Sequence, residues 1–276
     1  MKLTLGFSTC PNDTFIFDAM VNGKIDTEGL EFDCILADVE ELNRRAFESK
    51  SDITKISYHA YAYIAGQYLL MNSGSALGHN NGPLLVGREK VQLNQATGYR
   101  IAIPGKYTTA SLLLQIALPD AIDTMEYLFS DIEDAVLSGE VDAGLIIHEN
   151  RFTYERKGLK KIADLGEFWE SETGMPIPLG GIAVRRTLSP EVAMAADRVL
   201  ARSIEYAFTN PSSSFEFVRK YAVSMVKEVM ESHIKLYVND YTRNLGERGK
   251  AAVEKLYNEA YQKGLIPVMP AQIFVS

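Results

Sequence analysis

Apolar and polar positions alternate in short blocks through the first two thirds of the chain. Leu3 to Phe7 reads as a strand and is followed by the turn Ser8-Thr9-Cys10-Pro11-Asn12-Asp13. Helical spacing from Thr14 to Asn22 stops at Gly23, a residue suited to the left-handed position after a helix. Leu30 to Leu36 predicts a second strand. Asp38 then opens a helix, with Glu41 three residues on in capping-box spacing. Asp52 to Ile56 predicts a third strand, Ser57 begins a short helix, and Gly82 to Gly87 predicts a further strand.

The same alternation then restarts. Tyr99 to Ile103 and Thr124 to Phe129 read as strands on either side of a leucine-rich helix from Thr108 to Leu118. Ser130 and Glu133 repeat the capping-box spacing before a helix that runs to about Gly139. The run from Val141 to Ile147 is continuously apolar apart from Asp142 and turns polar at His148-Glu149-Asn150-Arg151. Such a run reads as a strand buried on both faces. Gly180 to Arg185 predicts a return strand. Beyond it the period becomes helical, over 190–208 with Pro190 suited to a first helical position, then 214–222, 226–237 and 248–263. Two strand–helix series, a return strand and a helical tail predict an α/β fold of two lobes. Residues 1–90 with 183–276 form one lobe, 91–182 the other, and the substrate cleft lies between them.

Composition narrows the function classes. The 276 residues are 46% hydrophobic and 23% charged, ordinary for a globular protein. Net charge is −8, which opposes general binding of nucleic acid or an acidic membrane. No apolar run reaches the roughly 18–20 residues that span a bilayer. The opening Met1-Lys2-Leu3-Thr4-Leu5 lacks the pattern of a secretory signal, so the chain reads as cytoplasmic. Nothing in the pattern sets an oligomeric state. Cys10 and Cys34 are the only cysteines, and the four histidines show no HExxH spacing, so no metal site is expected.

Candidate chemistry collects at strand ends. His148 stands where ligands bind in open α/β sheets, beyond the carboxyl end of a strand, and imidazole exchanges protons near neutral pH. A structural histidine fits the pattern equally well. Thr108 and Thr109 open a helix whose free N–H groups can receive an anion, although the spacing by itself favours a plain cap. Lys55-Ile56-Ser57 occupies the equivalent place in the first series, where spacing by itself again favours Ser57 as an ordinary cap. Two polar turns, Ser8–Asp13 and Gly78–Pro83, offer Asn12 and Asn81 as ligand contacts, although Pro, Asn, Asp and Gly are also ordinary turn and cap residues. Neither turn is a glycine-rich phosphate loop. His59 reads as packed and His233 as structural or exposed. The tyrosines at 58, 61 and 63 fit a core better than an aromatic pocket.

Together these segments resemble a known family. Gly6-Phe7-Ser8-Thr9-Cys10-Pro11-Asn12-Asp13-Thr14-Phe15, Lys55-Ile56-Ser57, Thr109-Ala110-Ser111 and Gly144-Leu145-Ile146-Ile147-His148-Glu149 are similar, in order along the chain, to the 1,4-dihydroxy-6-naphthoate synthases of the futalosine route to menaquinone. The resemblance implies a two-lobed type II periplasmic-binding-protein-like fold with a helical C-terminal tail. It implies a carbon–carbon lyase that takes a carboxylated small molecule, cyclic dehypoxanthine futalosine, with no cofactor. His148 matches the family's proton acceptor. Lys55, Ile56, Ser57, Thr109 and Ala110 match its substrate-contact segments. The loop His79-Asn80-Asn81 departs from the more glycine-rich form of relatives. The competing reading is a solute-binding protein that captures a small carboxylate without transforming it, since fold does not decide function.

Overall fold

Leu3, Leu5 and Phe7 alternate with Thr4 and Gly6, and all three apolar side chains are buried. In the computed structural model, which describes residues 1–119, 123–222 and 226–276, this alternation becomes β1 (Lys2–Phe7). The chain continues through α1 (Pro11–Val21), β2 (Glu31–Leu36), α2 (Val39–Phe47), β3 (Ile53–Ser57), α3 (Tyr58–Ile64), β4 (Tyr68–Leu70) and β5 (Ala76–Gly78). A second series holds β6 (Leu84–Gly87), β7 (Arg100–Ile103), α4 (Thr109–Ala117), β8 (Asp123–Glu126), α5 (Ile132–Ser138), β9 (Ala143–Ile146), β10 (Lys160–Asp164) and α6 (Leu165–Thr173). The return strand β11 (Ile177–Arg185) leads into α7 (Pro190–Thr209), α8 (Pro211–Tyr221), α9 (Lys227–Tyr237), α10 (Asp240–Arg243) and α11 (Gly246–Gln262).

The strands form two sheets. The first runs β2-β1-β3-β11-β4, with β5 also paired to β11; the second runs β10-β6-β9-β7-β8. β1 is parallel to β2 and β3, and β7 is parallel to β8 and β9. β11 is antiparallel to all three of its partners. The chain crosses between sheets in residues 79–83 and again in 174–176. The sheets therefore divide the chain differently from the expected ranges. β6, placed with the first lobe by its sequence position, pairs with β9 and β10 in the second sheet. The part of β11 before Ala183, placed with the second lobe, pairs with β3 and β5 in the first. Hydrogen-bond pairing decides membership, and pairing is not visible in a single strand's pattern.

Local chemistry explains most boundaries. Pro11 sits in the first turn of α1, where a missing N–H costs nothing, so the helix starts three residues before Thr14 and absorbs half of the expected turn. Asp38 accepts from the N–H of Glu40 and Glu41 and starts α2. Ser189 caps α7 as its position before Pro190 predicts. Ser130 does not cap α5: its hydroxyl donates to Asp131 Oδ1 at 2.7 Å, and Asp131 occupies the cap position.

One apolar cluster crosses the junction of the lobes. Ile56, Tyr58, Tyr61 and Leu77 of the first pack with Leu85, Ile103, Leu112, Leu145 and Trp169 of the second, and Leu256 and Tyr257 of α11 seal it. Tyr58 and Tyr61 are core residues, while Tyr63 is exposed. Two close approaches hold the crossings. A Cβ on Gly82 would lie 2.3 Å from Gly166 N, so only glycine lets the first crossing lie against the start of α6. Asp164 caps α6 and receives the Arg151 guanidinium at 2.8 Å; Arg151 also donates to the Gly82 carbonyl. Among the described residues, no helix is long and apolar enough to cross a membrane.

Glu40 of α2 faces the second sheet. Burial raises its carboxyl to about 7, against the Asn43 hydrogen bond, with repulsion from Glu126 adding to the rise; Arg44 and the Tyr107 N–H oppose it. The native state therefore holds a proton that the unfolded chain releases near 4.5. This contribution to stability is complete below that value and is lost as pH rises through about 7. Glu40→Gln should flatten this part of the profile. The variant should be the more stable protein at pH 8, by urea midpoints measured across pH 4.5–8. Parallel profiles for the two proteins would show that Glu40 carries no such linkage.

Candidate active site

The carboxyl ends of β1 and β3, the N-terminus of α4, the turn after β9 and the face of α9 meet in one cleft between the sheets. It leaves a cavity of about 90 Å³ measured at water centres, room for several waters. The eight sequence-predicted residues His148, Lys55, Ile56, Ser57, Thr109, Ala110, Asn12 and Asn81 all line it.

β9 ends at Ile146, and His148 opens a short 3-10 turn through Phe152. The backbone at His148 has φ +58°, in the left-handed region. Side chains other than glycine adopt it at a cost of roughly 1–3 kcal/mol when the surroundings enforce it. Arg151, tied to Asp164 and Gly82, is one enforcing contact, and the Asn150 amide donating to Glu133 Oε2 at 2.8 Å is another. The turn also reverses an expectation. With a continuing strand Glu149 would point away from His148; instead its carboxylate is buried beside it.

The imidazole is partly exposed, with Nδ1 3.2 Å from Cys10 Sγ. Phe129 meets it edge-on at 4.9 Å, and the His233 ring lies 6.3 Å away. Burial pushes His148 down to about 4; Asp13 and Asp38 oppose this and Lys55 reinforces it. Burial likewise raises the Cys10 thiol, helped by the nearby Glu149 and Asp13 carboxylates, so Cys10 stays S–H at neutral pH. A neutral imidazole thus faces a neutral thiol. With Nδ1–H donating to the sulfur, Nε2 keeps a lone pair for the cleft; with the thiol donating to Nδ1, the ring proton sits on Nε2.

Lys55 is the cation of the cleft. Its ammonium lies 2.9 Å from Asp13 Oδ1, an ion pair without the alignment of a hydrogen bond. Asp13 is fully buried. It accepts from the Ser8 hydroxyl at 2.7 Å, the Ser8 N–H at 3.2 Å and the Asn12 amide at 2.8 Å. These bonds occupy the carboxylate, so the Lys55 N–H donors remain free to meet an anion in the cleft. Ser57 precedes α3 but does not cap it; Asn43 holds both its hydroxyl and its N–H. Thr108 caps α4 by accepting from Ser111 N–H. Thr109 and Ala110 are then the first two helical residues, whose N–H groups have no carbonyl behind them. The Thr109 hydroxyl is committed elsewhere: it donates to Leu179 O at 2.5 Å and accepts from His59 N–H. Any anion contact there belongs to the backbone. Asn81 is wholly buried, and neither its amide oxygen nor its nitrogen has a hydrogen-bond partner among the described residues.

Sequence reading missed several residues of the site. Asp13, which lines the cleft, and Cys10, which meets His148, fall in a turn by pattern, although Pro11 at N1 is the signal that α1 begins there. His233, read as structural or exposed, is buried with both ring nitrogens unpartnered among the described residues and lines the cleft with Tyr237. No local pattern marks it, because α9 reaches the cleft only through the fold. His59 is packed as expected, held by Thr108 O, with burial pushing it to about 4.

Comparisons with known proteins agree along the whole chain. The family described as Menaquinone biosynthesis matches residues 3–262. A Thermus thermophilus protein named 1,4-dihydroxy-6-naphtoate synthase is 43% identical over 273 residues, covering 99% of each chain. A Streptomyces coelicolor protein of the same name is 40% identical, covering 97% of this chain and 95% of the relative. The crystal structure of protein AF1704 from Archaeoglobus fulgidus superposes with a TM-score of 0.91 at 42% identity, covering 96% of this chain and 98% of that one. A Candida albicans protein described as having the generic periplasmic binding protein fold gives a TM-score of 0.66 at 13% identity over 100% and 98% of the two chains. The fold is that two-lobed periplasmic-binding-protein fold.

Removing one member of the buried Lys55–Asp13 pair leaves the other charge uncompensated, which typically costs about 3–5 kcal/mol. Asp13→Asn should lower the unfolding free energy by about that amount in urea titrations, and adding Lys55→Met should restore most of it. Equal stability of Asp13→Asn and the parent would mean that the pair contributes nothing to the fold.

Proposed function

Because this chain belongs to the menaquinone biosynthesis family, we propose that it converts cyclic dehypoxanthine futalosine to 1,4-dihydroxy-6-naphthoate and dihydroxyacetone, as a carbon–carbon lyase working in the cytoplasm. The observation that carries the reading is the meeting of His148, Lys55 and the α4 N-terminus in one cleft of a chain similar to the named synthases over its whole length.

In this reading His148 is the general base. Its neutral ring accepts a proton from the sugar-derived part of the substrate through Nε2, in the tautomer whose Nδ1–H donates to the Cys10 sulfur. A carbon–carbon bond then breaks, and formation of the aromatic naphthalene draws the reaction forward. A positioned base contributes roughly 10²–10⁴-fold. The substrate carboxylate binds at a cationic or N–H-rich point. The Thr109 and Ala110 N–H groups and the Lys55 ammonium supply such points, with Ser57 and Ile56 beside them. Asn12 and Asn81 offer amides to the polar substituents. Asn81 enters the role with both amide atoms unpaired, so a hydrogen-bonding ligand removes a desolvation cost already present. Closure of the lobes over the substrate orients it and sheds water.

His148→Asn should reduce turnover by about 10²–10⁴-fold, followed as naphthoate absorbance, while calorimetry still records substrate binding. Near-normal turnover in the variant would remove His148 from the base role. Binding without turnover by the parent protein would leave a carboxylate-binding protein in place of an enzyme.

A further inference from the structure

Behind His148, on the side where its Nδ1 faces Cys10, lies a group of atoms that includes Glu149, a side chain with no part in the proposed reaction. Cys10 Sγ, a His148 ring nitrogen and a Glu149 carboxylate oxygen all lie within 4.8 Å of one another. Cys10 and Glu149 are each more than nine-tenths buried. Both Glu149 oxygens are without a hydrogen-bond partner among the described residues, so a buried carboxyl group lies beside a thiol and an imidazole unpaired. An unpaired buried carboxylate is costly, and a cation is its natural complement.

We propose that Cys10, His148 and Glu149 form a binding site for a thiophilic divalent cation, of which zinc is the type, and that the ion acts as a reversible brake on the cleft. Sulfur with nitrogen selects zinc over magnesium or calcium, which take oxygen ligands. A tetrahedral zinc, roughly 2.0–2.3 Å from each donor, separates its ligands by about 3.4–3.6 Å. The Cys10–His148 contact at 3.2 Å is already near that spacing, and Glu149 needs only a modest side-chain shift. The fourth position is left to water on the cleft side. On binding, the Cys10 S–H bond breaks and its proton goes to solvent, together with the proton that burial favours on Glu149; thiolate and carboxylate bond the metal, and no electrons are transferred. Metal on Nδ1 leaves the remaining proton of a neutral ring on Nε2, so the ring has no lone pair to offer the cleft. Sequence spacing could not reveal this donor set, because Cys10 lies 138 positions from His148.

The test uses the full chain, stripped with a chelator and titrated with Zn²⁺ by calorimetry and with Co²⁺ by absorbance at neutral pH. The expected result is one ion per chain and a thiolate-to-cobalt charge-transfer band. Cys10→Ser and Glu149→Gln should each lose at least about tenfold in affinity, the least that even an outer-shell change causes. Cys34→Ser should keep the band. Absence of the band in the parent, its survival in Cys10→Ser or its loss in Cys34→Ser would overturn the site. The parent spectrum decides the matter even if a variant fails to fold. A second arm rests on the proposed function: Zn²⁺ should suppress naphthoate formation, and EDTA should restore it. Full turnover by zinc-loaded protein would overturn the brake. A protein with no turnover in any state would sink the functional reading but leave the spectral arm standing.

Discussion

The antiparallel ladder between β11 and β3 is the interaction on which the rest of this structure depends. It returns the chain from the second sheet to the first and holds Lys55, Ile56 and Ser57 at the cleft wall. The strands come close enough that a Cβ on Gly180 would lie 2.8 Å from the Ile56 carbonyl oxygen. On the far side of the same strand, Leu179 O takes the Thr109 hydroxyl. One strand thereby joins the cation of the first lobe to the helix N-terminus of the second. Without that register, the two halves of the cleft would carry the same residues and no common centre.

Desolvation governs the chemistry inside. It holds His148 neutral and Cys10 protonated. The Lys55–Asp13 pair is the exception: there the surrounding hydrogen bonds to Asp13 keep a carboxylate satisfied where water is scarce. A cleft whose one cation among the described residues is paired with Asp13 meets an anionic guest through N–H donors rather than through net charge. Its arrival changes the field at every neutral group at once, because little solvent remains to screen it.

Periodicity made the alternating α/β order and the helical tail legible, and the strand-end argument found His148, Lys55 and the start of α4. Those features are local: an apolar run stops and a polar residue follows. What was not legible depends on pairing or on distant packing. β6 could be seen as a strand, but its sheet could not. The short β4 and β5 gain their identity only by bonding to β11. His233 reaches the cleft on a helix that shows an ordinary amphipathic pattern, and Cys10 meets His148 across the lobe boundary. The inward turn of Glu149 follows from a left-handed backbone at His148, a conformation that a histidine seldom announces.

The contact between Gly82 and Gly166 has a mechanical consequence. It welds the end of the first crossing to the second lobe, since a backbone lying against a helix start cannot swing independently of it. The same crossing is tied to α6 a second time, because Glu170 takes His79 Nδ1 at 2.6 Å and the Asn80 N–H at 2.9 Å. Asn81, both of its amide atoms unpaired among the described residues, lies between these two tethers, so the backbone that carries it belongs mechanically to the second lobe.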